Sequence, residues 1–273
     1  MDLSQVKLVA FDMDGTLLNS KHEVSNEFFK LFEQLHPQVH FVAASGRQLH
    51  SIISKLSSIK DQISIIAENG AVVQTEAREG IIIEPLKVPK LNTLITTLLK
   101  IDSVTPILCG KNYAYVGNQA PNFISLFKEY YSSYKIVDSL LNSQPEDLVK
   151  IAIYHPTDAE KYIYPNVKHL ESELSVRVSG RNWVDISTKH INKGVALERI
   201  QKDYGFTTSQ TMVFGDYNND LEMLQQGIFS YAMANAHKNA KDIALFSTKS
   251  NDELGVESVL EKLVKSHVNY QMR

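Results

Sequence analysis

Short apolar runs that end in polar turns alternate with amphipathic segments in the first third of the chain. Residues 6–11, 39–44 and 63–67 have the continuous apolar character of strands that are buried on both faces. The segment 23–35 between the first two runs has helical spacing, and Ser25 is a suitable N-cap residue. This β-α-β order predicts a parallel sheet with helices on both faces.

The middle of the chain has a different pattern, in which shorter helical and strand-like segments are mixed. The predicted helices of this block are residues 91–99 and 121–134, and its predicted strands are residues 104–108, 113–116, 149–154, 176–178 and 183–186. The first pattern then returns, with predicted strands at 212–214 and 229–233. The predicted fold class is therefore α/β: residues 1–82 and 188–273 form a Rossmann-like, doubly wound parallel sheet, and residues 83–187 form an inserted α+β domain.

Composition narrows the classes of function. The 273 residues are 43 % apolar and 22 % charged, as in an ordinary soluble globular protein. The N-terminus lacks a secretory pattern, and no segment approaches the ~18 apolar residues of a membrane span. The net charge of −3 provides no basic field for nucleic acid. Cys109 is the single cysteine, which excludes an intrachain disulfide, favours a reducing compartment and leads us to predict a cytoplasmic protein.

An acidic turn follows the first predicted strand, where Asp12, Asp14, Gly15 and Thr16 occur in the sequence D-M-D-G-T. Two carboxylates at i and i+2 in a tight turn can point to the same side, and Mg²⁺ prefers carboxylate oxygens. A carboxylate beside such a cation stays ionised and can attack phosphorus. A second carboxylate two residues later can act as the general acid and base.

Two other interpretations of this turn remain open from the residues alone. Asp and Gly are common in loops, so the segment could be a simple capped turn. An EF-hand loop is less suitable, because Thr16 stands at the fifth position and Leu18 and Ser20 are poor loop residues. No entering helix precedes the turn either.

Three further polar clusters occur at predicted element ends. Ser45 and Gly46 follow the second strand, where a hydroxyl and a free N–H could bind an anion or simply cap a helix. Lys193 opens a predicted helix, and a lysine at that end needs a nearby anion, although a surface lysine is the simpler interpretation. Asp216 and Asp220 flank a turn after the strand at 212–214, which could complete a metal site or only start a helix.

The combination of clusters favours chemistry. They would bring together acids for a metal ion, one nucleophile and several donors for an anion at one edge of a predicted sheet. Phosphoryl transfer requires this set, because its catalysis consists mainly of positioning and charge stabilisation. The residues therefore predict a magnesium-dependent phosphate-ester hydrolase with Asp12 as its nucleophile.

The motifs also resemble a known family. FDMDGTLL at 11–18, ASGR at 44–47, NKG at 192–194 and GDYNND at 215–220 are similar to the motifs of haloacid dehalogenase (HAD) superfamily phosphatases. AENGA at 67–71 and MANA at 233–236 add to this resemblance, which spans nearly the whole chain and points to the Cof-type class IIB with a large α/β cap. The block at 83–187 would then be the cap that selects the leaving group.

The resemblance implies a role for each matched residue. Asp12 would be the nucleophile and Asp14 the general acid and base. Mg²⁺ would bind the Asp12 carboxylate, the Asp14 backbone carbonyl and Asp216, with Asp220 close by. The implied phosphate-binding residues are Met13 (through its backbone), Ser45, Gly46, Lys193 and Asn219.

The expected partner is a small phosphate monoester, with sugar phosphates as the leading class. Pyridoxal phosphate and flavin mononucleotide remain open as substrates, and a phosphotransferase or phosphomutase acting on hexose phosphates is the nearest alternative activity. A non-catalytic metabolite-binding module is a further alternative, against which the intact Asp12 and Asp14 pair argues. We expect no nucleic-acid or membrane partner, and a monomer or weak homodimer.

Overall fold

Two β-sheets organise the protein. The computed structural model describes residues 2–75, 78–82, 85–118 and 121–271, and within them the first sheet has eight strands and the second has six. The predicted first boundary of the inserted domain falls at residue 83, which lies outside the described residues together with residue 84. The division into a core and an inserted domain therefore stays a prediction.

The first sheet is mainly parallel. In spatial order its strands are β14 (Phe246–Ser247), β13 (Phe229–Ala232), β12 (Thr211–Gly215), β1 (Leu8–Asp12), β2 (His40–Ala44), β3 (Ser64–Ala67), β4 (Val72–Thr75) and β5 (Arg78–Ile82). Every neighbouring pair from β14 to β3 is parallel, whereas β4 is antiparallel to both β3 and β5. The predicted α/β class with a parallel sheet is confirmed.

Strand β1 lies at the centre of this sheet because its five residues, LVAFD, are all buried. From β1 the chain proceeds outward through β2 and β3 on one side, and it later returns through β12, β13 and β14 on the other. The direction of winding therefore changes at β1. In doubly wound sheets such a switch point opens a crevice at the carboxyl ends of the strands.

Local capping explains where the longer helices begin and end. The helices are α1 (Asn26–Leu35), α2 (Leu49–Lys55), α3 (Leu91–Leu98), α4 (Pro121–Tyr130), α5 (Ala159–Tyr162), α6 (Tyr164–Val167), α7 (Lys193–Tyr204), α8 (Leu221–Leu224), α9 (Lys238–Ile243) and α10 (Gly255–Gln271). The predicted N-cap Ser25 accepts a hydrogen bond from Phe28 N at 3.0 Å. Asn192 caps α7 by accepting from Val195 N at 2.9 Å, and Gly205, with φ of 74°, ends that helix. Within the described part of the chain, no helix is sufficiently long and apolar to cross a bilayer.

The second sheet is mostly antiparallel, and its central strands are buried on both faces. Its strands, in spatial order, are β10 (Leu174–Gly180), β11 (Trp183–Thr188), β9 (Leu148–Tyr154), β6 (Thr105–Gly110), β7 (Ala114–Gly117) and β8 (Tyr134–Val137). Side chains alternate along β6, as expected for a strand: Ile107 and Cys109 join the core cluster of the first sheet, whereas Leu108 joins a separate cluster. One face of the second sheet therefore continues the core of the first. We refer to the first sheet with helices α1, α2 and α7 to α10 as the first unit, and to the second sheet with helices α3 to α6 as the second unit.

The predicted helix at 121–134 is too long. Helix α4 ends at Tyr130, and Tyr134 already begins β8. The backbone between α4 and β8 forms hydrogen bonds with side chains of the first unit instead of continuing the helix. Ser132 N donates to Ser51 Oγ at 3.1 Å, and Ser133 N donates to Gln48 Oε1 at 3.0 Å. The prediction extended the helix too far because it rested on aromatic spacing alone, which gives no sign of these contacts with distant residues. Helix α9 and strand β14 were not predicted either.

His40 should make the stability of the fold depend on pH. Burial lowers the pKa of its imidazole to about 4, against the ordinary value of 6.5. Since the unfolded chain then takes up the proton first, His40 contributes stability that is complete above pH ~6.5 and is lost as the pH falls towards 4. We expect His40→Gln to flatten the loss of unfolding free energy between pH 6.5 and 4 in urea titrations.

The matched control is His50→Gln, because His50 is exposed on α2. It should leave the pH dependence of the unfolding free energy as in the wild type. An unchanged dependence in His40→Gln would contradict the assignment.

Candidate active site

The carboxyl ends of three neighbouring parallel strands meet at one edge of the first sheet. Strand β1 lies between β2 and β12, and the register sets Asp12 beside Ala44. The turns that follow these strands carry Asp14, Ser45 and Asp216. Polar clusters that are far apart in sequence therefore converge, as the doubly wound topology predicts.

A cavity of about 280 Å³ opens at this edge, between the two sheets. Several of the predicted site residues line it from the first sheet: Asp12, Asp14, Ser45, Gly46, Asp216 and Asn219. Lys193 and Asp220 are fully buried and are not part of the lining. The Met13 side chain is also fully buried, so only its backbone could reach a ligand.

Lys193 is a buried cation that joins two acids. Its Nζ donates to Asp12 Oδ1 and, at 2.7 Å, to Asp220 Oδ1. Burial alone would lower the pKa of this lysine, but the two carboxylates outweigh burial and hold the pKa above its usual value. The surface-lysine interpretation is therefore wrong for Lys193, whose side chain has no exposed area.

Asp220 braces the turn that carries Asp216. Its Oδ2 accepts hydrogen bonds from Asp216 N at 2.9 Å and from Tyr217 N at 3.1 Å, while its Oδ1 accepts from Lys193. Asp216 itself accepts from Thr16 Oγ1 at 3.0 Å. The turns after β1 and β12 are thus held together by side chains of the predicted motifs.

Burial and mutual repulsion raise the pKa values of two acids in this cluster. Burial raises the pKa of Asp12 to about 7, with the charges of Asp220 and Asp14 acting in the same direction and Lys193 opposing them. Burial, followed by the charges of Asp12 and Asp220, raises the pKa of Asp216 well above its usual range. With its one lysine, the cluster therefore does not favour ionisation of all its acids.

This donor set fits a divalent metal ion. Carboxylate oxygens of Asp12, Asp216 and Asp220 lie within 4.8 Å of one another. If all three acids are ionised, the single charge of Lys193 leaves an excess of two negative charges, which a hard dication with oxygen ligands would neutralise. Because both oxygens of Asp220 already accept hydrogen bonds, Asp12 and Asp216 are better placed as direct ligands.

Asp14 forms an ion pair with Arg47, whose role was not predicted from the sequence. Arg47 binds it through two hydrogen bonds, from Nε to Oδ2 and from Nη2 to Oδ1, each at 2.6 Å. Burial would raise the pKa of Asp14, but the hydrogen bonds and charges of Arg47 and His22 outweigh burial and hold the pKa well below its usual range. In this arrangement Asp14 is an ionised carboxylate that can accept a proton.

Arg47 also connects Asp14 to the second unit. Its Nη1 donates to the backbone carbonyl of Glu129, and its guanidinium carbon lies 4.6 Å from the centre of the Tyr130 ring. Both residues belong to the end of α4. The fork of one arginine therefore bridges the acid of the first sheet and a helix of the second unit.

Hydrogen bonds also engage the predicted phosphate donors. Ser45 Oγ accepts from Arg47 N at 3.0 Å, which leaves its hydroxyl proton for another acceptor. Asn219 Nδ2 donates to Asn69 Oδ1 at 3.0 Å, which leaves the second amide hydrogen. These contacts fix both side chains while each keeps one donor for an anion.

Sequence reasoning missed several residues that the structure brings to the site. Arg47 stood in the recognised ASGR motif without a role, and Glu68 and Asn69 stood in AENGA. Lys150 gave one signal, since it interrupts the apolar strand LVKIAIY. Asp185 also lines the cavity, together with Trp183.

Comparison with known proteins identifies the family. The model of the haloacid dehalogenase-like hydrolases matches residues 9–260. The chain belongs to the haloacid dehalogenase-like hydrolase family. A protein of Escherichia coli K12 named 5-amino-6-(5-phospho-D-ribitylamino)uracil phosphatase YbjI is 31 % identical over 95 % of this chain and 97 % of its own length. The chain is accordingly a phosphatase of the haloacid dehalogenase type.

Solved structures agree with this family assignment. The crystal structure of SMU.1108c from Streptococcus mutans UA159 superposes with a TM-score of 0.86 at 30 % identity, covering 95 % of this chain and 99 % of that protein. The HAD subclass IIB sugar phosphatase BT4131 has the same fold, with a TM-score of 0.79 at 20 % identity over 94 % and 98 % of the two chains. The predicted family resemblance is confirmed.

Removing one acid of the cluster should stabilise the metal-free protein. In Asp216→Asn the amide can still accept from Thr16, but one buried like charge is gone. We expect the melting temperature in EDTA to rise by about 2–6 °C. Addition of Mg²⁺ should raise the melting temperature of the wild type and have little effect on the variant.

Asp242→Asn is the matched control, because Asp242 is exposed on α9. It should melt as the wild type does in both conditions. A lower melting temperature for Asp216→Asn in EDTA would show that repulsion among the acids is not significant.

Proposed function

We propose that this phosphatase hydrolyses small phosphate monoesters with Mg²⁺ as its cofactor, through a phosphorylated Asp12. The observation that carries the proposal is the placement of Asp12, which lies at the wall of the cavity with Lys193 behind it and Asp216 nearby. A nucleophilic carboxylate must be ionised, and burial works against that state. Bound Mg²⁺ would favour the ionised form and neutralise charge on the phosphoryl group.

The protein residues divide the remaining chemistry. Asp12 attacks phosphorus, and the ester oxygen leaves with a proton from Asp14. Asp14 then accepts a proton from water, which attacks the aspartyl-phosphate and releases inorganic phosphate. Met13 N, Ser45, Gly46 N and Asn219 would hold the phosphoryl oxygens, while Lys193 orients Asp12.

Arg47 sets the protonation state of Asp14 in this scheme. While its fork is closed, Asp14 stays ionised and its basicity is reduced. Protonation for the first step requires the fork to loosen, and a substrate anion that competes for Arg47 would allow it. We propose that this loosening lets Asp14 hold the proton that it first donates to the ester oxygen and later accepts from water.

Sugar phosphates are the proposed substrate class. The second unit contributes polar groups to the cavity from Ser179, Arg181 and Asn182, beside the rings of Tyr130 and Trp183. Hydroxyl groups suit the former, and the apolar side of a sugar or a planar ring suits the latter. The E. coli relative is named for a ribityl phosphate that carries a uracil, which has both features.

A panel of esters tests the substrate class. Hexose, pentose and ribityl phosphates, pyridoxal phosphate, flavin mononucleotide and an aryl phosphate would be compared with and without Mg²⁺. We expect release of inorganic phosphate only with Mg²⁺, and the highest kcat/KM with sugar or polyol phosphates. If hexose phosphates gave positional isomers and no free phosphate, the protein would be a phosphotransferase.

Asp12→Asn should abolish turnover while the fold persists. The amide keeps the shape of the side chain but cannot form the phosphorylated intermediate, so kcat on an aryl phosphate should fall about 10³-fold or more. Asp61→Asn, at an exposed position, is the control. Unchanged turnover in Asp12→Asn would exclude Asp12 as the nucleophile.

Arg47→Lys should alter the pH profile as well as the rate. A lysine retains the charge but cannot form the two parallel hydrogen bonds to the Asp14 carboxylate, so the pKa of Asp14 should rise. We expect kcat to fall about 10- to 100-fold and the limb of the kcat profile assigned to Asp14 to move to higher pH. The control is Arg177→Lys, because Arg177 is an exposed arginine that also pairs with a carboxylate, that of Glu222. It should change neither kcat nor the pH profile.

A further inference from the structure

The loop Glu68–Gly70 holds an unusual backbone conformation. Its three consecutive residues have positive φ values of 51°, 55° and 104°. Such conformations are uncommon for residues other than glycine and persist only when the surroundings impose them. Backbone hydrogen bonds to the neighbouring turn supply part of that constraint, since Glu68 N donates to Arg47 O and Asn69 N donates to Ser45 O, both at 3.0 Å.

The same loop contacts the other two turns that carry proposed phosphate donors. Asn69 Oδ1 accepts from Asn219. A Cβ atom at Gly70 would collide with the carbonyl oxygen of Asn192, the residue that caps helix α7 immediately before Lys193. The loop therefore lies against the turns of Ser45, Lys193 and Asn219 at once.

Two buried residues of the second sheet complete the surroundings of the loop. Lys150 Nζ lies 2.7 Å from Glu68 Oε2 and donates to Gly46 O at 2.5 Å. Asp185 Oδ2 accepts from Asn69 Nδ2 at 2.5 Å, and its Oδ1 lies 3.8 Å from Lys150 Nζ. Lys150 and Glu68 are each 1 % exposed and Asp185 is 5 % exposed.

These contacts make the loop depend on the second sheet. Among the described residues, no hydrogen-bond donor reaches Glu68 Oε1, so the charge of Lys150 is its main compensation. A buried carboxylate without a partner is costly, and hydration would replace the lysine if the sheets separated. The Gly46 carbonyl belongs to the same peptide group as Arg47 N, which donates to Ser45 Oγ. Lys150 and Ser45 together thus fix the plane of that peptide.

We propose that Lys150 and Asp185 are positioning residues, which hold the phosphate-binding turns in their working geometry through the loop Glu68–Gly70 only when the second sheet is seated on the first. The inference rests on the proposed function, because the turns at Ser45, Lys193 and Asn219 are taken as the phosphate site. Both residues border the cavity, but neither contacts Asp12 or Asp14 in the structure. Each acts through Glu68, Asn69 or the Gly46 carbonyl.

Lys150→Met tests the proposal, with Lys135→Met as the matched control in an exposed position of the same sheet. Three quantities would be measured: kcat and KM on an aryl phosphate, the Kd of inorganic phosphate by calorimetry with Mg²⁺, and hydrogen exchange at residues 45–47 and 68–70. We expect kcat/KM to fall about 10- to 100-fold, the Kd of phosphate to rise about tenfold, and exchange at both segments to accelerate. The Mg²⁺ concentration for half-maximal activity should stay within twofold, because Lys150 does not contact Asp12 or Asp216.

A folded Lys150→Met protein with phosphate affinity and exchange within twofold of the wild type would overturn the proposal. If leaving Glu68 without a partner prevents folding, the double variant Glu68→Gln/Lys150→Met removes both charges and should fold. It still lacks the donor to Gly46 O, so its phosphate affinity should remain low. Full recovery of affinity in the double variant would reduce Lys150 to a charge partner and overturn the proposal.

Asp185→Ala separates the two arms of the contact, since it removes the acceptor of Asn69 Nδ2 and leaves the bond from Lys150 to Gly46 O intact. We expect a smaller rise in the Kd of phosphate than in Lys150→Met, and no rise at all would remove Asp185 from the proposal. Phosphate affinity and exchange do not require turnover. A wild type without phosphatase activity would therefore reject the proposed function, while these two measurements would still decide the inference.

Discussion

The buried ammonium of Lys193 is the interaction on which the arrangement of the active site depends. Asp12 and Asp220 could not be buried so close together without a cation between them, because the desolvation of two carboxylates and their repulsion would both oppose folding. The bond to Asp12 joins residues 181 positions apart in sequence. It therefore fixes helix α7 against strand β1. Since Asp220 in turn braces the backbone of Asp216, the third turn follows from the same contact.

A second buried lysine has a comparable role between the two sheets. Lys150 lies among acids and a backbone carbonyl of the first unit, although its own strand is otherwise apolar. Its placement follows from the alternation of side chains along β9, because its pairing partner Cys109 faces the core of the first sheet. A lysine that is only 1 % exposed must find most of its hydrogen-bond acceptors within the protein. The sheets must therefore meet in a register that supplies its partners.

Whether a feature could be predicted from the sequence depends on whether it arises from local pattern or from contacts between distant residues. Apolar runs that end in polar turns indicate parallel strands, and topology alone brings the ends of such strands together. The convergence of Asp12, Ser45 and Asp216 could therefore be predicted. Contacts such as that between Asn69 and Asp185, which are 116 positions apart, leave no trace in local spacing. Arg47 was visible within a motif, but its partner Asp14 could be identified only once the fold had placed them together.

The strained loop explains why these distant contacts bear on chemistry. The positive φ values of Glu68 and Asn69, which are not glycines, are strained, and the loop Glu68–Gly70 is held by the turns of the first sheet and by two side chains of the second. Separation of the sheets removes one of these two constraints and also the contact of Arg47 with the end of α4. In the proposed mechanism, the arrangement that encloses the substrate is then the same arrangement that orients the proposed phosphate donors and Asp14. Because enclosure and alignment would share these residues, an open form would present Asp12, the proposed nucleophile, without the geometry that makes it effective.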